Sequence, residues 1–128
     1  IAKVTMPHYD YFLASLASPM PYYQAVELLT DNTIRFGWDK SVDLQGDSVS
    51  YTLQIATTPN FSNIVKEQSL AQTEVVLPKL ANGVYYLKVT AKDSKGNSQN
   101  AFDTAIIGGK KYFGVYAFEV KTNEIVGL

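Results

Sequence analysis

The sequence predicts an all-β fold, a seven-stranded antiparallel β-sandwich preceded by a short N-terminal helix. Three observations lead there. From Tyr85 the residues alternate, with Tyr85, Leu87, Val89 and Ala91 pointing one way and Tyr86, Lys88, Thr90 and Lys92 the other. A period of two marks a strand with one buried and one wet face. Comparable runs recur along the chain, each bounded by Gly, Pro, Asn or Asp. Beyond Tyr23 no segment carries a helical period, so strands are left to pack against strands.

The helix is expected over Pro7 to Ala17. Thr5 is placed to cap it, Pro7 suits the first turn, and Tyr9, Phe12, Leu13 and Leu16 share one face. Ser18-Pro-Met-Pro21 stops it, because two prolines in four residues do not continue a helix. Residues 1–22 thus read as a linking helix and a stiff connector, 23–121 as the sandwich, and 122–128 as a C-terminal tail. The chain opens on Ile1 instead of methionine, which reads as a piece of a longer protein with an upstream domain.

The strands follow in order. Ala25 to Leu29 is the first, turned by Asp31-Asn32. Thr33 to Trp38 is the second, with Ile34, Phe36 and Trp38 on one face. A polar loop, Asp39 to Ser48, leads to the alternation Val49, Tyr51, Leu53, Ile55. Thr57-Thr-Pro-Asn60 ends that strand, and Ile64 to Gln68 reads as a weaker edge strand. Thr73 to Leu77 is halted by Pro78. Asn82-Gly83 turns the chain into the strand from Tyr85, and Asp93-Ser-Lys-Gly-Asn97 turns it out again. Tyr112 to Lys121 is the last strand, with Tyr116, Phe118 and Val120 in register. Its long approach, Ser98 to Lys111, is expected to hold a short extra strand around Ala101 to Ile107 and a bend at Gly108-Gly109.

Composition narrows the function classes. At 128 residues and 46% hydrophobic content, one domain with a substantial core is expected. The net charge of −1 and scattered basic residues remove the case for nucleic-acid binding. No apolar run approaches the roughly 20 residues a membrane-spanning helix needs, so no membrane insertion is expected. The absence of cysteine excludes disulfides, thiolate metal sites and cysteine nucleophiles.

Chemistry is sparse. His8 is the one histidine, and it lies in the linker helix with no serine patterned beside it, so neither a triad nor a histidine metal site is expected. Asp39, Asp43 and Asp47 crowd one loop, with Asp93 or Asp103 available to approach. Calcium takes several hard oxygens. The stretch Asp43-Leu-Gln-Gly-Asp47 nevertheless lacks the D-x-[DN]-x-[DN]-G pattern, and Asp and Gly also suit a sharp turn. Outward Tyr86, with Tyr112 or Phe113, is placed to share a sheet face with Thr52, Gln54, Lys88 and Thr90, as a platform for a sugar or peptide. A small sandwich filled by its own side chains has no deep cleft for paired catalytic carboxylates.

The order of elements resembles a fibronectin type III-like domain over about Tyr23 to Lys121. Trp38 stands at that family's core tryptophan position, Tyr51 at its third-strand aromatic, and Leu80 with Tyr85 at its leucine and corner tyrosine. Gly83 through Asp93 is similar to the bacterial variant Gly-x-Tyr-Tyr-x-x-Val-x-Ala-x-Asp. Trp38-Asp-x-Ser-x-Asp43-x-x-Gly-Asp47, Tyr51, Ile55-Ala56, Pro59-Asn-Phe61, Gly114-Val115 and Phe118-Glu-Val120 resemble the sandwich domain trailing some spore-coat protein H (CotH) kinase-like proteins. These resemblances imply an immunoglobulin-like, noncatalytic accessory module of a larger bacterial surface, secreted or spore-associated protein. It would space or dock neighbouring domains, with the upstream domain, other proteins or a glycan as partners. The alternatives are a carbohydrate- or wall-binding module using the Tyr86 face and a calcium-rigidified adhesin linker. No catalytic, cofactor-binding or metal-ligating residue is assigned, and the expected location is extracellular, on the cell surface or in the spore coat.

The inward position of Trp38 makes a direct prediction. Trp38→Ala should cost about 3–5 kcal/mol in denaturant unfolding, because it leaves a large cavity. The native protein should show blue-shifted tryptophan emission; a water-like maximum would mean a misplaced strand register.

Overall fold

The computed structural model describes residues 23–40 and 48–128. The expected helix, the connector, His8, Asp43 and Asp47 lie outside the described residues. Within them the chain is all-β, with antiparallel pairing throughout. Its strands are β1 (Gln24–Leu28), β2 (Thr33–Trp38), β3 (Val49–Ala56), β4 (Ile64–Leu70), β5 (Glu74–Pro78) and β6 (Gly83–Asp93). They continue with β7 (Ser98–Asn100), β8 (Thr104–Ile107), β9 (Lys110–Phe113), β10 (Val115–Val120) and β11 (Ile125–Gly127).

A three-stranded sheet, β1-β2-β5, faces a larger sheet in the order β11-β10-β6-β3-β4, with β7 also paired to β6. Between them lies one apolar core. The smaller sheet sends in Ile34, Phe36 and Trp38, and the larger sends in Tyr51, Leu53, Ile55, Tyr85, Leu87, Val89, Ala91, Phe118 and Val120. These are the inward residues that the alternating pattern selects, because each pleat sends every second side chain to one face. Trp38 and Tyr51 meet with ring centroids 5.5 Å apart, and Phe118 lies 5.9 Å from Tyr85 and 6.1 Å from Phe36. The indole Nε1 of Trp38 is buried with no hydrogen-bond partner among the described residues, and the ring packs into the core.

Turn chemistry bounds the strands as expected. Asp31 Oδ1 accepts from the Thr33 backbone and hydroxyl, while Asn32 takes φ 65°. Asp93 is buried because it caps its own turn. Its Oδ1 accepts from the backbone N–H groups of Lys95 and Asn97 at 2.9 and 2.8 Å, and its Oδ2 accepts from Asn97 Nδ2.

The strand count is the main correction. Seven strands were expected; eleven are present among the described residues. The strand read as Tyr112 to Lys121 is broken at Gly114, where φ 78° swings the chain out of the ladder and divides β9 from β10. Residues 98–107 hold two short strands, β7 and β8, with Asp103 between them. Gly108 and Gly109, at φ 60° and 80°, close β8 onto β9 in the two-residue turn that favours positive φ at both positions. Residues 122–128, read as a tail, contribute β11 to the large sheet, and Leu128 N–H donates to Ala117 O at 3.0 Å.

The Tyr85 hydroxyl donates to the carbonyl oxygen of Ala81 at 2.7 Å, pinning the turn before β6 to the core, with Leu80 packed alongside. Tyr85→Phe should therefore lower stability by about 0.5–1.5 kcal/mol in chemical denaturation. Tyr86→Phe, whose ring lies on the opposite face, should be nearly neutral. Reversed effects would exchange the two faces of β6.

Candidate functional site

The excursion from Ser98 to Gly114 interrupts an otherwise regular sheet. β10 pairs with β6 only as far as Val115 opposite Lys88, and β7 takes up the same edge at Asn100 opposite Thr90. Val89 lies at the gap. The side chain of Gln24, at the start of β1, fills it from the other sheet. Its Oε1 accepts from Val89 N–H at 2.7 Å, and its Nε2 donates to Gly114 O at 3.1 Å and to Asp103 Oδ2 at 3.0 Å. The Gln24 backbone N–H donates to the same Asp103 oxygen at 2.8 Å. Asp103 O in turn accepts from Gly114 N–H at 2.6 Å.

Gln24 is 5% exposed, and a primary amide suits this place because one end accepts while the other donates twice. Burial, with the nearby Asp103 charge, pushes the Tyr116 phenol above its ordinary value. Gly114 is the third member of the clamp. A Cβ there would stand 2.7 Å from Asn100 Cβ, on a backbone already at positive φ. Glycine is thus required twice over, by conformation and by space.

Beyond the clamp the hairpin of β8 and β9 folds over the outer face of the large sheet. Ala105, Val115 and Ala117 form a second small core there, with Phe61, Tyr86, Ile107 and Tyr112 packed against it. β10 is consequently covered on both faces, by the main core and by the hairpin. This corrects the expected platform. Tyr86 is packed beneath the hairpin, Lys88 lies 4.7 Å over the Phe61 ring, Gln54 Nε2 donates to Glu67, and the Thr90 hydroxyl donates to Asn100 Oδ1. That face is assembled from its own contacts.

Exposed aromatics occur instead around the excursion. Phe113 is 71% exposed, Phe102 53% and Tyr23 57%, with Tyr23 edge-on to Phe102 at 5.6 Å. Between β7 and the hairpin base runs a groove of about 450 Å³, lined by Ser98, Gln99, Asn100, Phe102, Thr104 and Phe113 over a floor that includes Ala101 and Gly114. Periodicity marked Phe113 as a candidate, but nothing in the sequence pattern distinguished Phe102 or the β7 amides. Their grouping comes from the clamp, which bends the chain at Asp103 and Gly114.

The described acids considered for calcium, Asp39, Asp93 and Asp103, have separate local roles. Asp93 is committed to its turn, Asp103 to Gln24, and Asp39 is exposed beside the smaller sheet, where its N–H donates to Tyr23 O. The outer face of that sheet carries Arg35 between Glu27 and Glu74, at 3.1 and 2.8 Å, as a solvated ladder of modest energetic weight. Both carboxylates raise the Arg35 guanidinium pKa, with Glu74 the larger influence.

No family model matches the chain, and no curated protein matches it significantly.

The clamp predicts a pH-dependent defect. Gln24→Glu keeps the shape but replaces the donating amide with a carboxyl oxygen directed at Asp103. Two carboxyl groups there are strained when both ionise, which raises the folded-state pKa of the introduced acid. The penalty should be small below the carboxylate range and grow as pH rises through it, reaching about 2–3 kcal/mol at neutral pH. Urea melts of the variant and the parent from pH 3 to pH 8 check this; a pH-independent difference would exclude the coupling to Asp103.

Proposed function

We propose that this chain is a noncatalytic, fibronectin type III-like module that spaces and docks neighbouring domains of a larger bacterial surface, secreted or spore-associated protein. The observation that carries this reading is the clamp at Gln24. The polypeptide comes into the sandwich immediately after its proline-rich connector, and the first strand residue is tied to three distant segments at Val89, Asp103 and Gly114. A spacer transmits orientation only if the chain is held where it joins the folded body. Burial and multiple hydrogen bonds at that point supply such a hold.

Other features support the same reading. The two facing sheets share one core filled by their own side chains, and the Tyr85 hydroxyl bonds backbone just upstream, as a tyrosine corner does. The narrower likeness to the domain trailing spore-coat protein H kinase-like proteins rests on the residues from Trp38 to Phe61 and from Gly114 to Val120. The Tyr86 sugar platform is not carried forward, because the hairpin packs over that ring.

Limited proteolysis of the longer polypeptide tests the proposal. Chymotryptic cutting after Tyr22 and Tyr23 should be slow in the parent and at least severalfold faster in Gln24→Ala, while the sandwich from Val49 onward stays resistant. Equally fast cutting in both proteins would reduce the connector to a loose tether and reject an orienting role. The fragment lacking residues 1–21 should still unfold in one cooperative transition.

A further inference from the structure

We propose that the groove between β7 and the base of the β8–β9 hairpin binds a neutral saccharide. This goes beyond the docking role and stands apart from it, since a spacer needs no ligand.

The groove combines the two surfaces that a sugar ring requires. A pyranose presents flat C–H faces, which pack on the electron-rich face of an aromatic ring, and a rim of hydroxyls that both donate and accept. Phe113 and Phe102 supply exposed aromatic area to the groove. Ser98, Gln99, Asn100 and Thr104 supply hydroxyl and amide groups to its lining. Asn100 Oδ1 is held by the Thr90 hydroxyl, which fixes the side chain, and its Nδ2 donates to no described residue. The amide thus presents an oriented donor next to an aromatic surface.

Charge selects the ligand class. Every residue lining the groove is uncharged, and the carboxylate of Asp103, between Phe102 and Thr104 in sequence, directs its Oδ2 to Gln24. Among the lining residues an anionic sugar, phosphate or acidic peptide meets no countercharge and a cationic segment no carboxylate, and Lys92, opposite Ser98 in the ladder, lies at the margin. A neutral, hydroxyl-rich ligand leaves no buried charge unpaired. The volume of about 450 Å³ lies within the roughly 300–1,000 Å³ of small-molecule sites. The floor is preorganised, because Gly114 is locked against Asn100 and bonded to both Gln24 and Asp103.

The test uses a panel of soluble neutral oligosaccharides, namely cellohexaose, xylohexaose, mannohexaose, maltohexaose and N-acetylchitohexaose, with oligogalacturonate as the anionic comparison. Each is titrated to millimolar concentration into the isotopically labelled full chain while amide and side-chain NMR resonances are followed. At least one neutral probe should shift the Asn100 side-chain amide and the Phe102 and Phe113 backbone signals in a saturable manner. Phe113→Ala should weaken that binding roughly tenfold. Ile106→Ala, a control on the exposed hairpin outside the groove, should leave it unchanged. Unaltered melting temperatures would show that both variants fold. Three results would overturn the proposal: no saturable shift with any neutral probe, binding undiminished in the Phe102→Ala/Phe113→Ala double variant, or saturation by oligogalacturonate alone. Proteolysis after Tyr22 and Tyr23 reports on the docking role independently, so either proposal can fail without the other.

Discussion

The amide of Gln24 is the interaction on which the rest of the architecture turns. It occupies the one place where the large sheet changes partner along β6, from β10 to β7, and it joins that break to the smaller sheet. A buried backbone donor left at such a break would cost about 1–3 kcal/mol. Gln24 Oε1 contributes a bond there, and its Nε2 uses the same rigid amide to hold Gly114 and Asp103. One side chain thereby ties the start of β1 to the large sheet and to the bend that releases the hairpin.

The hairpin gives β10 an unusual setting. Most strands of a two-layer sandwich have one dry face, yet Val115 and Ala117 lie under β8 and β9 while Phe118 and Val120 lie in the main core. Small residues on the outer side are what permit this, since Ala105 and Ala117 let the hairpin approach closely. The consequence for function is a displacement of the accessible surface. Covering Tyr86 removes one aromatic face, while lifting the chain at Asp103 and Gly114 exposes Phe102 and Phe113 beside a row of amides.

The docking and saccharide proposals draw on different parts of this arrangement. Docking depends on the hold at Gln24, and the groove depends on the exposed side chains that the hold arranges. Both fit a sandwich whose interior is occupied by its own side chains and whose distinctive chemistry is therefore at the surface. The ion-paired ladder of Glu27, Arg35 and Glu74 belongs to neither; it keeps the outer face of the small sheet solvated.

Local pattern by itself determined much of the scaffold. Alternation identified the inward residues of β2, β3, β6 and β10, and turn residues such as Asp31-Asn32 and Asp93 to Asn97 bounded their strands, because pleat direction and turn dihedrals are properties of a few consecutive residues. The corner hydrogen bond of Tyr85 was likewise readable, since its acceptor lies only four residues away. The tertiary structure decided what lies between distant segments. Gln24 reads as an ordinary polar residue at a strand start, and only the approach of Val89, Asp103 and Gly114 makes it a hub. Gly114 breaks a strand that its flanking alternation predicts as continuous, because its conformation answers to Asn100 and Asp103 across the fold. The fate of Tyr86 and the grouping of Phe102 with Phe113 follow from where the hairpin lands. That is set by packing between residues far apart in the chain, which no local period records.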